Sequence, residues 1–355
     1  MRTLRFVAAL ALATSGAWAA AACAPSGPAG RSLPAGRPLS ELPLGASPLV
    51  PVPPDNPLTE AKVELGRRLF FDAQLSRDST VSCSSCHEPE RSFSDGRTVA
   101  RGIDDKEGTR NVPALINRVY GRSFFWDGRA HSLEEQALLP MVNPDEMGNT
   151  HEEILRRLGA SGSYRRQFVG AFGADEITEE RVAQAIASFV RTLVSGNSPF
   201  DRFEHLGDTA ALSESARRGL ALFRGRARCA LCHTGGLFTD ERFHNTGVTW
   251  RDGELLDSGR FVITGKNAHR GAFKTPTLRD VARTGPYMHD GSLATLEEVV
   301  DFYDRGGNIN PYQDPDIQPL DLTLQEKESL LAFLRSLSGE MRFGRAPLDR
   351  ESAHK

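Results

Sequence analysis

The segment CSSCHEPERSFSDGR, residues 83–97, decides how the rest of the chain is read. Cys83 and Cys86 stand three positions apart and His87 follows at once, the spacing of a covalent c-type haem attachment. In such a turn each thiol adds to a haem vinyl group, and the histidine is carried under the iron as its proximal ligand. A CxxC pair alone could serve a zinc ion or a redox dithiol instead. CALCH at 229–233 repeats the whole pattern, and the chain has five cysteines. With Cys83, Cys86, Cys229 and Cys232 assigned, only Cys23 remains, so no cysteine is left to complete a zinc site. Two covalent haems, with His87 and His233 on the irons, are the reading that uses every residue of both motifs.

The duplication extends upstream. LTEAKVELGRRLFFD precedes the first motif and LSESARRGLALFRG the second, and in both a glycine (Gly66, Gly219) is followed four residues later by phenylalanine (Phe70, Phe223). A helix leading into a haem-attachment turn, used twice, implies two cytochrome-c-like units. Ser132, Thr150, Thr295 and Thr323 each have glutamate three residues on, which predicts capped helix starts. Leu330, Phe333, Leu334 and Leu337 form an apolar stripe expected to pack on the second unit. The glycine-rich connection 235–275 carries no helical pattern.

At 355 residues and a formal charge of −3, the chain has room for two domains and no electrostatic reason to bind nucleic acid. Residues 1–23, MRTLRFVAALALATSGAWAAAAC, have a basic start, a short apolar centre and small residues at the end, an export signal. Ala17-Trp18-Ala19 fits one cleavage rule. Ala20-Ala21-Ala22-Cys23 resembles a lipobox, which would make Cys23 a lipid anchor in the membrane. Residues 24–55 are rich in proline, glycine and alanine and read as a linker. Export places the mature protein in the periplasm.

Between His87 and His131 there is neither histidine nor methionine. The first iron therefore lacks an obvious local sixth ligand, which favours activation of a small molecule over simple electron transfer. RNVPAL, FFWDGRA, NPDEMGN, FKTPTLRDV and GPYMHDGSLATLEEVVDFY, spread from about Leu58 to Gly339, then show a resemblance. The chain resembles the bacterial di-haem cytochrome c peroxidases, and more closely their MauG-type relatives. That resemblance implies an all-α fold of two cytochrome-c-like domains each carrying one covalently bound haem. Residues 56–205 would form the peroxidatic domain and 206–345 the electron-transfer domain.

The same resemblance assigns roles. Trp126 would lie between the haems and relay electrons or holes. Gln136 would hydrogen-bond bound peroxide and Glu146 would move its proton, with Pro140 bordering the pocket. From residue type alone, Gln136 reads as a solvated helix residue, Glu146 as a cap and Trp126 as core. Ten residues of continuous helix would set Gln136 and Glu146 on different faces. Pro140 and Asn143-Pro144 are expected to break the helix begun at Ser132 and let Glu146 fold back.

The family's peroxidases usually carry a histidine in the loop before the RN dipeptide; here that position is Ile103, which cannot bind iron. A five-coordinate first haem that needs no reductive activation is expected. At the second haem the usual methionine is replaced by Tyr303, with Met288 and His289 as rival ligands and a packed core tyrosine as the plain alternative. An anionic oxygen ligand would lower that haem's potential and let the pair share both oxidising equivalents of peroxide. A calcium ion would be held by Asn111, Thr284 and Pro286, segments that are equally good plain turns. Lys274, Arg279, His289 and Arg129 are candidates for haem propionates. Two activities follow from the resemblance. One is peroxide reduction with electrons from a small cytochrome c or cupredoxin. The other is MauG-like oxidation of tryptophan or tyrosine side chains in a substrate protein. A di-haem electron carrier without catalysis is the third possibility.

Overall fold

A computed structural model describes residues 42–342. The export segment, Cys23 and most of the proline-rich stretch lie outside the described residues. Helices α1 (Glu60–Phe70), α2 (Cys83–Cys86), α3 (Leu133–Val142), α4 (His151–Ala160), α5 (Gly162–Phe172) and α6 (Glu179–Arg191) come first. After strand β1 (Val194–Gly196) follow α7 (Pro199–Leu206), α8 (Glu214–Arg224), α9 (Phe261–Thr264), α10 (Leu296–Asp304) and α11 (Leu324–Arg335). Three two-stranded antiparallel pairs join β1 to β6 (Glu340–Arg342), β2 (Phe243–His244) to β5 (Phe273–Lys274), and β3 (Trp250–Arg251) to β4 (Glu254–Leu255). The chain is thus largely helical but not all-α. Two of these pairs lie within 235–275, where no helical pattern exists and short ladders satisfy backbone groups instead.

The four predicted helix starts are all N-capped, and the reciprocal capping box closes at Thr323, where Glu326 takes the Thr323 N–H. Ser132, Thr150, Thr295 and Thr323 accept the backbone N–H of Glu135, Glu153, Glu298 and Glu326, starting α3, α4, α10 and α11. One expectation fails: α3 runs through Pro140 and ends only at Val142, with Asn143 as its cap. The following chain turns back onto the helix end. Met147 N–H reaches the Pro140 carbonyl (3.2 Å) and Asn149 N–H that of Met141 (2.9 Å). The break falls at Asn143-Pro144, which is enough to fold Glu146 back.

The duplicated glycines have a packing role. A Cβ on Gly66 would lie 1.8 Å from the Ala185 carbonyl oxygen of α6, and one on Gly219 would lie 1.9 Å from that of Ser329 in α11. Each haem-leading helix therefore crosses a partner backbone at its glycine. The aromatic residues around each crossing correspond too: Phe70, Phe93 and Phe189 in one half, Phe223, Phe238 and Phe333 in the other. Gly66→Ala is expected to cost about 1–3 kcal/mol through overpacking against a backbone that cannot move aside. Chemical denaturation checks this, and an unchanged midpoint would contradict the close crossing.

Two hydrophobic clusters result, one from Leu65 to Leu193 and one from Phe200 to Leu337. The predicted stripe Leu330, Phe333, Leu334 and Leu337 belongs to the second. So does α7, because Phe200 packs on Phe238 and Phe333. Part of the proline-rich stretch is packed on the body: Val50 is buried beside Val119 and Val194, and the Gly45 carbonyl approaches Arg279.

An ion pair bridges the halves. Arg118 is bonded to Glu241 (2.8 Å), and both side chains are about nine-tenths buried. Burial raises the Glu241 carboxyl, but the charges of Arg118 and Lys274 outweigh it and hold the group at about 2. A depressed carboxyl contributes fully above its ordinary range and loses that contribution as pH falls toward 2. About 3 kcal/mol of stability is expected to disappear over that interval. Glu241→Gln should flatten the acid limb of the stability profile; an unaltered limb would refute the assignment.

Candidate haem sites

Both CxxCH turns open onto one cavity of about 680 Å³. In the first, Cys83 and Cys86 form the single turn α2 behind Ser82, and His87 closes it. His87 Nδ1 lies 2.9 Å from the Phe93 carbonyl oxygen. In the second, His233 Nδ1 lies 2.9 Å from the Phe238 carbonyl oxygen. A carbonyl can only accept, so both rings carry their proton on Nδ1 and present an unprotonated Nε2. This is how a metal-binding imidazole is oriented. Burial brings His87 down to about 4 despite the Phe93 carbonyl, and lowers His233 likewise. Both imidazoles are therefore neutral, as a ligand must be.

The cysteines do not behave as a redox dithiol. Burial pushes Cys83 and Cys229 up to about 12 and Cys86 up to about 11, so these thiols stay protonated. Nor do they complete a zinc site. Among the described residues the one group of three metal-type donors is Cys232, Asp240 and His244, which omits Cys229. Free thiols and a directed Nε2 on one cavity wall, present twice, fit a covalent haem at each motif.

Every sequence-predicted site residue lines this cavity: Gln136 and Glu146 on the side of His87, Tyr303 on that of His233, and Trp126, Asn111, Thr284 and Pro286 among the rest. Glu146 accepts a 2.7 Å hydrogen bond from Asn143 Nδ2. Burial raises its carboxyl above the ordinary range, against that hydrogen bond and the Arg129 charge. Its backbone carbonyl takes the N–H of Ile103 (2.8 Å), pinning that loop to the site. Ile103 itself is fully buried against Gly148 and is not part of the cavity wall.

Trp126 is tied to both halves. Its Nε1 donates to the Asn111 carbonyl (2.8 Å), its own carbonyl accepts the N–H of Lys274 (2.9 Å), and its ring meets His289 edge-on at 6.4 Å. The His289 ring is stacked on Phe273 at 3.5 Å, and its Nε2 is buried without a partner. That orphan nitrogen suits a propionate better than an iron ligand held by a flexible chain. Arg279 lines the cavity too; it pairs with Asp201 at 2.6 Å and donates to the Gly236 carbonyl, both charged side chains being buried. Tyr303 is hydrogen-bonded to Thr246, and burial raises its hydroxyl far above the usual range.

Sequence reasoning missed His244, which sits between Asp314 (2.6 Å) and Asp240 (3.0 Å) beside Cys232. The Cys232 sulfur and the two carboxylates hold it up at about 10. Asp240 is four residues away, but the second carboxylate, Asp314, comes from a segment 70 residues on, which no local motif announces.

Comparison with known proteins agrees with this geometry. Residues 60–210 match the model of the family described as di-haem cytochrome c peroxidase. The chain is 46% identical over 292 residues to the methylamine utilization protein MauG of Methylorubrum extorquens, covering 82% of each. It is 36% identical over 295 residues to cytochrome c551 peroxidase of Nitrosomonas europaea, covering 82% of this chain and 84% of that one. Among solved structures, a MauG-like protein associated with microbial copper homeostasis superposes with a TM-score of 0.77 and 39% identity, covering 81% and 92% of the two chains.

Proposed function

The chain belongs to the di-haem cytochrome c peroxidase family, a haem oxidoreductase acting on peroxide, and from that premise we propose how its own residues divide the work. Hydrogen peroxide is reduced on the His87 side of the cavity; two electrons and two protons convert it to two waters. The observation that carries this is that Gln136 and Glu146 line the same cavity as a neutral, carbonyl-oriented His87, while Ile103 is buried away from it. The haem at each motif, once attached, supplies the redox chemistry.

Glu146 holds and transfers the proton. Burial raises its carboxyl, which favours holding a proton, and the hydrogen bond from Asn143 fixes its orientation. Gln136 offers an amide to the bound oxygen atoms. Trp126, hydrogen-bonded to both halves, is the relay between the two sites. Tyr303 completes the second site as an oxygen donor. Asn111 Nδ2 donates to the Arg97 carbonyl, which leaves its Oδ1 for a calcium ion shared with the carbonyls of Thr284 and Pro286. Residues 1–23 direct export to the periplasm, the leader ending either after Ala17-Trp18-Ala19 or, with lipidation, at Cys23.

Electrons come from a small cytochrome c or cupredoxin. A second reading, in which they come from tryptophan or tyrosine side chains of a partner protein, is favoured by Tyr303 and by the 46% identity to a MauG protein. Stopped-flow mixing of the haem-loaded protein with hydrogen peroxide tests the shared step; two six-coordinate haems without rapid reaction would leave only an electron carrier. Turnover with reduced cytochrome c against decay without donor separates the two activities. Trp126→Phe should slow redistribution of oxidising equivalents between the haems while leaving the resting spectrum of each unchanged. An identical decay course in that variant would remove Trp126 from the relay.

A further inference from the structure

We infer that His244 is a fixed positive charge set against the second haem, holding that haem's potential up against the anionic oxygen of Tyr303. The inference rests on the reading above, in which His233 binds iron and Tyr303 completes the second site.

Hydrogen-bond geometry sets the charge. His244 Nδ1 lies 2.6 Å from Asp314 Oδ2, and Nε2 lies 3.0 Å from Asp240 Oδ2. An ionised carboxylate can only accept, so both ring nitrogens carry protons and the ring is an imidazolium. Backbone groups hold each carboxylate in place. Asp240 Oδ1 accepts the N–H of Arg242 (2.9 Å), and Asp314 Oδ1 accepts that of Asp316 (2.9 Å). The Asp240 N–H donates to the Cys232 carbonyl (2.8 Å), and the Asp314 N–H donates to the Asn245 carbonyl (2.9 Å). The cation is therefore fastened to the haem-attachment turn on one side and to the 305–323 connection on the other. With both nitrogens engaged, the ring can neither bind iron nor donate to a propionate. What it offers the site is its charge.

Position gives that charge a direction. Of the three side chains His244 lines the cavity, whereas Asp240 and Asp314 do not, so the cation faces the pocket and the anions stand behind it. A ring nitrogen of His244 and the Cys232 sulfur lie within 4.8 Å of each other, and Cys232 is where the thioether to the haem forms. His244, Asp240 and Asp314 are 18%, 11% and 19% exposed, so solvent and salt screen them little. The other charges on this side are offset. Arg228 pairs with Asp316 at 2.9 Å in an exposed setting, and Lys274 lies 3.7 Å from Glu241.

A cation beside a haem opposes loss of an electron, and an anionic axial oxygen favours it. His244 and Tyr303 thus act in opposition on one iron. When peroxide is reduced to two waters at the first site, the second haem supplies one of the two electrons and is left oxidised by one equivalent. Tyr303 alone would make that equivalent a weak oxidant. His244 keeps it strong enough to be drawn on by a donor or a substrate side chain.

The test is a redox titration of the full-length, haem-loaded protein, following the low-spin electron paramagnetic resonance signal of the His233 haem. His244→Gln removes the cation and is expected to lower that haem's potential. Asp314→Asn removes an anion from behind the ring and should raise it, by a smaller shift because that charge stands farther from the pocket. His244→Lys, which keeps a cation between the same carboxylates, should return most of the loss. The opposite signs are decisive. Both His244→Gln and Asp314→Asn disturb the same contact, so a merely structural role would move the potential the same way in both. Shifts of one sign, an unshifted His244→Gln, or a His244→Lys protein at the His244→Gln value overturns the inference. If His244→Gln does not take up its second haem, Asp314→Asn decides, and a potential that is unchanged or lowered overturns it. Failure of the underlying reading looks different: wild type itself would show no low-spin haem with iron–phenolate bands in its resonance Raman spectrum.

Discussion

A Glu146→Gln variant consumes hydrogen peroxide about 10²–10⁴-fold more slowly than wild type, the range expected for loss of a positioned proton carrier. The change is nearly isosteric and keeps an acceptor oxygen for Asn143 Nδ2, which lies 2.7 Å from the carboxylate. The backbone bond from Ile103 to the residue 146 carbonyl is also untouched, so the loop should remain in place. Haem content, resting spectrum and cyanide affinity are expected to stay at wild-type values while the bimolecular rate with peroxide falls. Rapid-mixing spectroscopy measures that rate directly. A variant that reacts as fast as wild type would show that the proton travels by another route, and Glu146 would revert to a capping role.

The largest effect on stability is expected from Asp201→Ala. Asp201 and Arg279 are at most 1% exposed and pair at 2.6 Å, and Asp201 Oδ2 also accepts the backbone N–H and hydroxyl of Ser198 (2.8 Å each). Removing the carboxylate leaves a buried guanidinium without its counter-charge, which costs about 3–5 kcal/mol. The damage should be local to the C-terminal cluster, since Arg279 stacks over Phe200 and Phe238. Replacing both partners, Asp201→Leu with Arg279→Met, should recover much of the loss, because no charge is then stranded. Denaturant titration of the single and double variants is the measurement. Equal midpoints for wild type and Asp201→Ala would mean that water reaches Arg279.

The legible parts of this protein were those written in local chemistry. CxxCH names its cofactor because two thiols and an imidazole at that spacing have few other uses. Ser132, Thr150, Thr295 and Thr323, each with glutamate three residues on, start helices as expected. Gly66 and Gly219 were visible as a repeat, but their purpose was not, since the backbone each touches lies more than a hundred residues away. Pro140 was misjudged in the opposite direction. The helix continues two residues past it, and the chain beyond brings the N–H groups of Met147 and Asn149 to the carbonyls of Pro140 and Met141.

By itself, then, the sequence established two haem attachments, the helical framework and, through its resemblance, the identities of Gln136, Glu146, Trp126 and Tyr303. Tertiary structure decided what those residues share. It gathered them around one cavity, buried Arg279 against Asp201, and brought Asp314 onto His244 from 70 residues away. The physical reason is range: attachment chemistry, caps and turns act over a few bonds along the chain, whereas burial and ion pairing depend on which segments the fold brings within a few ångströms.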